Sequence, residues 1–301
     1  MKNKILIHVI FGLISFTSCE HGKSQQMTDV EMWQLGWRMI GSSMDENFEL
    51  ANIQFDTILK NSKTIDSKYL ITGLEVKKEI GKDEEIIEIL SSQPIEMLQE
   101  ICKKQVLSNF EICKKYSVEI VENEKLQLEL IKMYVNDQYV RSNLMTDILQ
   151  KYNLSKDQVI IDSNGINTDE RNRERLKEII AKYGFPTKKM VGKDAMNGVF
   201  FMIQHADGEN AWQKSQLTNI KNAVKMGDLD SQSYAYLYDR IKINSGEKQL
   251  YGTQFANVDA VNNIVELDKT EDIDNLDKRR MEIGMMPIEM YKKLMLKNIL
   301  K

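Results

Sequence analysis

The amino-acid sequence predicts a mainly α fold: a helical N-terminal region followed by a helical domain that carries one small β-hairpin. Three observations lead there. Lys, Glu, Leu, Ile and Met dominate the chain and only three prolines occur, so helix formers abound and helix breakers are scarce. From residue 27 onward apolar residues recur at helical spacing between short Ser, Asp, Asn and Gly punctuations. Only near residues 248–267 do β-like runs, KQLYGTQF and NIVELD, interrupt that period. A composition of 42% hydrophobic and 29% charged residues belongs to a globular chain. Its 301 residues suggest about two domains. With a net charge of −4, no overall basic field invites nucleic acid.

The first residues stand apart from the folded body. MKNKILIHVIFGLISFTSC opens with Lys2 and Lys4, runs apolar from Ile5 to Phe16 and ends in Thr17-Ser18-Cys19. The apolar stretch is shorter than the roughly 20 residues of a membrane span and suits the core of an export signal. Its cysteine behind small polar residues makes it similar to a bacterial lipoprotein signal, with Phe16 where leucine is usual. Residues 1–18 are therefore expected to be cleaved, and Cys19 to carry the lipid that anchors an exported chain in the periplasm or at the cell surface. EHGKSQQ completes a tether over 19–26, with a reach on the order of 15 Å. Membrane lipid at Cys19 is one expected partner, and an unidentified envelope ligand or protein is the other.

Residues 27–121 read as a helical region. Thr28 and Glu31 stand at capping-box spacing ahead of Trp33 and Trp37, which lie one turn apart. Short periodic segments follow, bounded by Ser, Gly or Asp, which suggests stacked helix pairs without a fixed repeat period. Pro94 starts a further helix, read as continuous through Cys102 and Cys113. That reading sets the two cysteines about 16 Å apart, beyond the roughly 7 Å that a disulfide spans, and makes them free core residues.

Residues 122–301 read as a second domain. ENEKLQLELIKMYVNDQYVRSNLM is one helix, and a second runs from near Thr168 to Gly184. KDAMNGVFFMIQH is apolar enough for a buried helix or a buried strand, and its helical flanks favour helix. Asp207 is placed to cap the next helix, and DSQSYAYLYDRIKIN is another. The hairpin near 248–267 uses KQLYGTQF and NIVELD as strands, with ANVDAVN between them.

Common catalytic signatures are absent: no H-E-x-x-H, C-x-x-C, G-x-S-x-G, G-x-G-x-x-G or P-loop occurs. DSNGINTDERNR begins like a calcium loop. Counted from Asp162, however, it has Asn167 in place of the turn glycine and Arg173 in place of the bidentate Glu. One histidine in the folded body with scattered carboxylates is a poor zinc set, so neither a metal site nor a cofactor is expected.

What remains is a series of polar blocks at the ends of apolar segments. DQYVR holds Asp137, Gln138 and Arg141; IQHAD holds Gln204, His205 and Asp207; YLYDRI holds Asp239 and Arg240. QLYGTQF holds Gln249, Tyr251, Gly252 and Gln254, and DKRRMEIGMMPIEMY holds Arg279, Arg280 and Tyr291. These blocks, in this order over about residues 128–291, resemble an uncharacterised bacterial family catalogued as domain of unknown function 6624. The resemblance implies a shared fold and a domain boundary, and it implies no reaction. Chemically, His205 with Asp207 or Asp239 can serve as a general acid or base. Arg141 or Arg240 can hold an anion, and Gln138, Gln204, Tyr251 and Gln254 can orient a ligand. In the structural alternative, Asp207 caps a helix, Asp239 pairs with an arginine, and His205 donates to a backbone carbonyl. The favoured expectation is an envelope binding or scaffolding module with a polar pocket or network around His205. The alternative is a metal-independent hydrolase or transferase.

Overall fold

The Thr28 hydroxyl accepts the Glu31 N–H at 3.3 Å, and the Glu31 carboxylate accepts the Thr28 N–H at 2.8 Å, closing the expected capping box. The box starts α1 (Asp29–Met44) in a computed structural model that describes residues 27–62, 64–116, 119–141, 143–160 and 165–299. The signal segment, Cys19, the tether and Asp162 to Asn164 lie outside the described residues.

Asn47 and Asp66 cap α2 (Phe48–Asn61) and α3 (Ser67–Glu79) by accepting a backbone N–H from the first turn. These three helices pack mutually, and α3 also touches α4 (Asp83–Ser91), α5 (Ile95–Ile101) and α6 (Gln105–Ser108). Helix length falls from 16 to 4 residues along the series, so no repeat unit recurs.

The continuous helix expected across Cys102 and Cys113 does not form. The chain leaves α5 at Ile101 and doubles back through α6 and a 3₁₀ turn at Glu111–Cys113. The two cysteines meet at a Cα–Cα distance of 4.9 Å in a disulfide. Both are buried, and packing them together outweighs the local helix preference.

Asn123 caps α7 (Glu124–Tyr139), which α8 (Thr146–Lys151) and α9 (Gly165–Tyr183) follow. The second of these begins earlier than the expected Thr168 and stops before Gly184, whose φ of 78° terminates it. Next come α10 (Lys188–Val191) and α11 (Lys193–Gln204), the apolar run, helical as its flanks imply. α12 (Asn210–Ser215), α13 (Leu217–Lys225) and α14 (Ser231–Asn244) complete the bundle, in which α11 touches α7, α9, α10 and α14.

The hairpin is β1 (Phe255–Asp259) with β2 (Ile264–Leu267), antiparallel, Phe255 facing Leu267 and Asp259 facing Ile264. KQLYGTQF therefore contributes only its last residue, and Ala256 to Asp259, read as connection, is strand. Two helices close the chain, α15 (Leu276–Glu282) and α16 (Ile288–Ile299).

Two hydrophobic cores result. One gathers Trp33, Trp37, Phe55, Leu74, Ile101 and their neighbours from α1 to Cys113; the other gathers Leu130, Val135, Met196, Val199, Leu237 and their neighbours from α7 to α14. The expected division at 121/122 falls between them. The C-terminal segment crosses it, because Met281, Met286 and Met290 pack on the first core. The Trp33 indole N–H also donates to the Met285 carbonyl at 2.7 Å.

A fragment of residues 122–301 would expose that methionine face. It should melt below the full chain and self-associate in sedimentation, with monomeric behaviour regained when residues 27–121 are added. A fragment as stable as the full chain would show that the crossing contributes nothing.

Candidate functional site

α11 approaches α7 so closely that a Cβ on Gly198 would stand 2.7 Å from the Tyr134 Cβ. Phe201 then stacks on Tyr134 at 5.5 Å. Beyond this contact the two helices end together, with Asp137 in the last turn of α7 and His205 as the C-cap of α11. His205 Nδ1 lies 2.9 and 3.0 Å from the two Asp137 oxygens. The Asp137 carboxylate is buried and also accepts the Gln138 amide at 2.8 Å.

Arg141 completes the cluster. Its Nη1 donates to the Asp137 carbonyl at 2.8 Å and to Asp137 Oδ1 at 3.4 Å. Its Nη2 donates to both Asp169 oxygens, at 2.9 and 2.8 Å. Asp169 stands in the second turn of α9, so three helices meet here. Burial raises the Asp169 carboxyl above its ordinary value despite Arg141. Burial, reinforced by Asp194 and Asp137, pushes the Tyr134 phenol up to about 12.

A carboxylate on Nδ1 fixes the Nδ1–H tautomer of a neutral imidazole and leaves a lone pair on Nε2. Among the described residues Nε2 has no hydrogen-bond partner, and no Ser, Thr or Cys side chain bonds the ring. The arrangement orients a base without presenting it with a nucleophile.

The other candidates go elsewhere. Asp207 accepts Arg240 Nε at 2.9 Å, a second bond from Arg240 Nη2, Asn244 at 3.0 Å and Gln213 at 3.3 Å. It caps no helix, since α12 follows Glu209 without a side-chain cap. Burial alone would raise its carboxyl, but Arg240, Gln213 and Asn244 together hold it below the usual range. Gln204 takes part through its carbonyl, which accepts Gln213 Nε2 at 2.9 Å.

Asp239 is fully buried and pairs with no arginine. Its carboxylate accepts the N–H groups of Leu250, Tyr251 and Thr253 at 2.8 to 3.1 Å and the Thr253 hydroxyl at 3.0 Å. Burial raises it even so. The carbonyls of the same loop face two arginines. Arg279 Nε donates to Leu250 O at 2.9 Å, and Arg280 Nη1 donates to Tyr251 O at 2.6 Å. Gln249 adds a reciprocal pair with Gln254, donating to its carbonyl and accepting its N–H, both at 2.8 Å. Tyr251 thus serves the loop through its backbone, and Gln254 through its backbone and an amide bond to the Thr253 hydroxyl at 3.0 Å.

The structure therefore divides the candidates among three networks: Gln138, Arg141 and His205 in one, Asp207 and Arg240 in another, Asp239, Tyr251 and Gln254 in the third. Asp137, quoted only as part of a block, and Asp169, not singled out at all, prove to be the partners of His205 and Arg141. The four-residue spacing of Asp137 and Arg141 was a readable pairing signal; Asp169 offered none.

A family model matches residues 124–299. The chain belongs to the family of unknown function DUF6624. No curated protein and no solved structure matches it. All three networks lie wholly inside the matched residues. A groove of about 990 Å³ lies at the edge of the DUF6624 region, between it and the N-terminal helices. Lys68, Glu75, Glu100 and Lys104 line one side, and Lys193 and Asp230 the other; no member of the His205 cluster reaches it.

Asp239→Asn replaces an all-acceptor group with an amide whose NH₂ meets N–H donors. The loss should be about 2–3 kcal/mol in denaturant melts, and His205→Ala should cost about 1–3 kcal/mol by taking one hydrogen-bond partner from buried Asp137. Neutral effects in both would end the structural reading of these networks. Asp207 gives a pH signature. Its folded pKa lies below the unfolded one, so its contribution is present above about pH 4 and is lost as pH falls through the folded value. Because the pair is partly exposed, Asp207→Asn should cost under about 1 kcal/mol at neutral pH and flatten the acid limb of stability.

Proposed function

We propose that this chain is an exported lipoprotein of the bacterial cell envelope that binds or scaffolds a partner. One observation carries the non-catalytic part: the acids, arginines and amides that suggested a catalytic site divide among three hydrogen-bonded networks instead of converging on one point. A catalytic cleft instead needs a base, a nucleophile or activated water, and charge-stabilising donors aimed at one point.

Two further features support the reading. The Cys102–Cys113 disulfide suits an oxidising compartment, which is where the signal and Cys19 would deliver the chain. The groove between the N-terminal helices and the family region offers a partner both signs of charge, with Lys104 and Lys193 beside Glu75 and Glu100. Such a surface favours a polar or zwitterionic ligand over an apolar one.

Two measurements test this. In the source bacterium, Cys19→Ala should abolish fatty-acid labelling and leave the precursor uncleaved; undiminished labelling would end the lipoprotein reading. Wild type, His205→Ala and Asp239→Asn should then be screened on envelope-type ester, amide and glycoside substrates, with no turnover expected. A wild-type activity that disappears in a folded His205→Ala protein would overturn the non-catalytic assignment.

A further inference from the structure

Asp137, Asp169 and His205 come from three different helices or their ends, and each offers one ligand atom within 4.8 Å of the other two. Metal–ligand bonds of about 2.0–2.2 Å place neighbouring ligand atoms about 2.8–3.6 Å apart, the lower end in octahedral and the upper in tetrahedral geometry. The separation of 2.9 Å between His205 Nδ1 and Asp137 Oδ1 is already of that size. Asp169 has to draw in, and the Nδ1 proton has to give way to the metal, with the remaining ring proton on Nε2.

We propose that these three side chains form a binding site for a first-row divalent transition metal. The donor set points to that class, since imidazole nitrogen suits zinc and its neighbours in the row whereas calcium and magnesium take oxygen ligands. The surroundings are those of a metal centre. The Gln138 amide holds Asp137 from outside at 2.8 Å, and Arg141 bonds both carboxylates, so each acid is oriented by a neighbour. The C-terminal ends of α7 and α11 meet at the site, and the negative ends of their helix dipoles favour a cation. Charge argues the same way. Two carboxylates share one arginine, leaving one negative charge when His205 is neutral.

Arg141 is also the competitor. Its Nη2 spans both oxygens of Asp169, so the ion must share or displace that contact. Affinity is accordingly limited by the guanidinium, and removing it should tighten binding.

The test uses the full chain freed of metal, with Zn²⁺ and Co²⁺ as probes. Equilibrium dialysis with elemental analysis counts bound zinc, and the visible spectrum of cobalt reports its ligands. Wild type should bind one zinc that excess Mg²⁺ or Ca²⁺ does not displace, and should melt higher with it. His205→Gln and Asp169→Asn should each weaken binding by tenfold or more, whereas Asp207→Asn, outside the cluster, should bind as wild type does. Arg141→Gln keeps all three ligands and should bind several-fold tighter, which preserves the test where a ligand variant fails to fold. Absence of stoichiometric zinc in folded wild type would overturn the proposal. So would binding that is unchanged in both His205→Gln and Asp169→Asn.

Discussion

The loop from Gln249 to Gln254 is held from both sides by charge. Its N–H groups converge on the Asp239 carboxylate, while its carbonyls meet the guanidinium groups of Arg279 and Arg280. Taking Asp239 and Arg280 out of water costs several kcal/mol each. Desolvation moves both toward their neutral forms, raising the acid and lowering the arginine. What offsets that cost is hydrogen bonding. Asp239 accepts from four groups of the loop, and Arg280 donates onward to the Met286 carbonyl at 2.7 Å with its guanidinium 5.0 Å from the Tyr291 ring centre. The loop's polar backbone thus stands between two opposite charges and screens neither from its partners.

The rest of the architecture hangs on this clamp. Asp239 belongs to α14, inside the second core; Arg279 and Arg280 belong to α15, whose Met281 packs on the first. Fixing the loop therefore fixes α15 and α16 against α14, and with them the methionines that reach Trp33. Gly252 sits at the tightest point, with φ of 67° and Leu276 and Ile288 carbons 3.1 and 3.3 Å from where a Cβ would stand. The left-handed conformation strains any other residue, and the two side chains would have to give by a few tenths of an ångström to admit a Cβ. Through this loop the segment that packs on the first core is tied to the second.

Most of the helices were legible because their signals are local. Thr28 with Glu31, Asn47, Asp66 and Asn123 cap helices within a few residues of the groups they satisfy, and apolar periodicity carries the rest. What escaped is what depends on distant chain. The disulfide was hidden because Lys103 and Lys104 prolong an apparent helix, and only the core brings Cys113 back to Cys102. KQLYG looks like a strand because its side chains suit one, yet only Gln249 bridges a neighbouring segment, at Thr270, while Leu250 and Tyr251 turn their backbones to the Asp239 carboxylate and the arginines. His205 was matched with Asp207 by proximity along the chain. Its partner lies 68 residues away, because α11 ends at Gln204 and the turn through Ala206 carries Asp207 to the Arg240 side.

The same contrast separates the two kinds of polar cluster in this protein. Around Asp239 both carboxylate oxygens accept from the loop, and nothing in the geometry asks for a further ligand. Around His205 the match is incomplete: one guanidinium serves two carboxylates, and the outer imidazole nitrogen has no partner among the described residues. Buried polar networks that are fully satisfied specify a fold, and those left with a charge to spare are where ligands enter. Gly198 decides which of these the His205 cluster is, since it sets how near α11 comes to α7 and so whether Asp137 meets the ring at all. A larger residue there would push the helices apart at Tyr134 and separate the acid from the histidine without touching either. The capacity of this site rests on a helix packing distance, and its chemistry follows from a position that carries no chemical group.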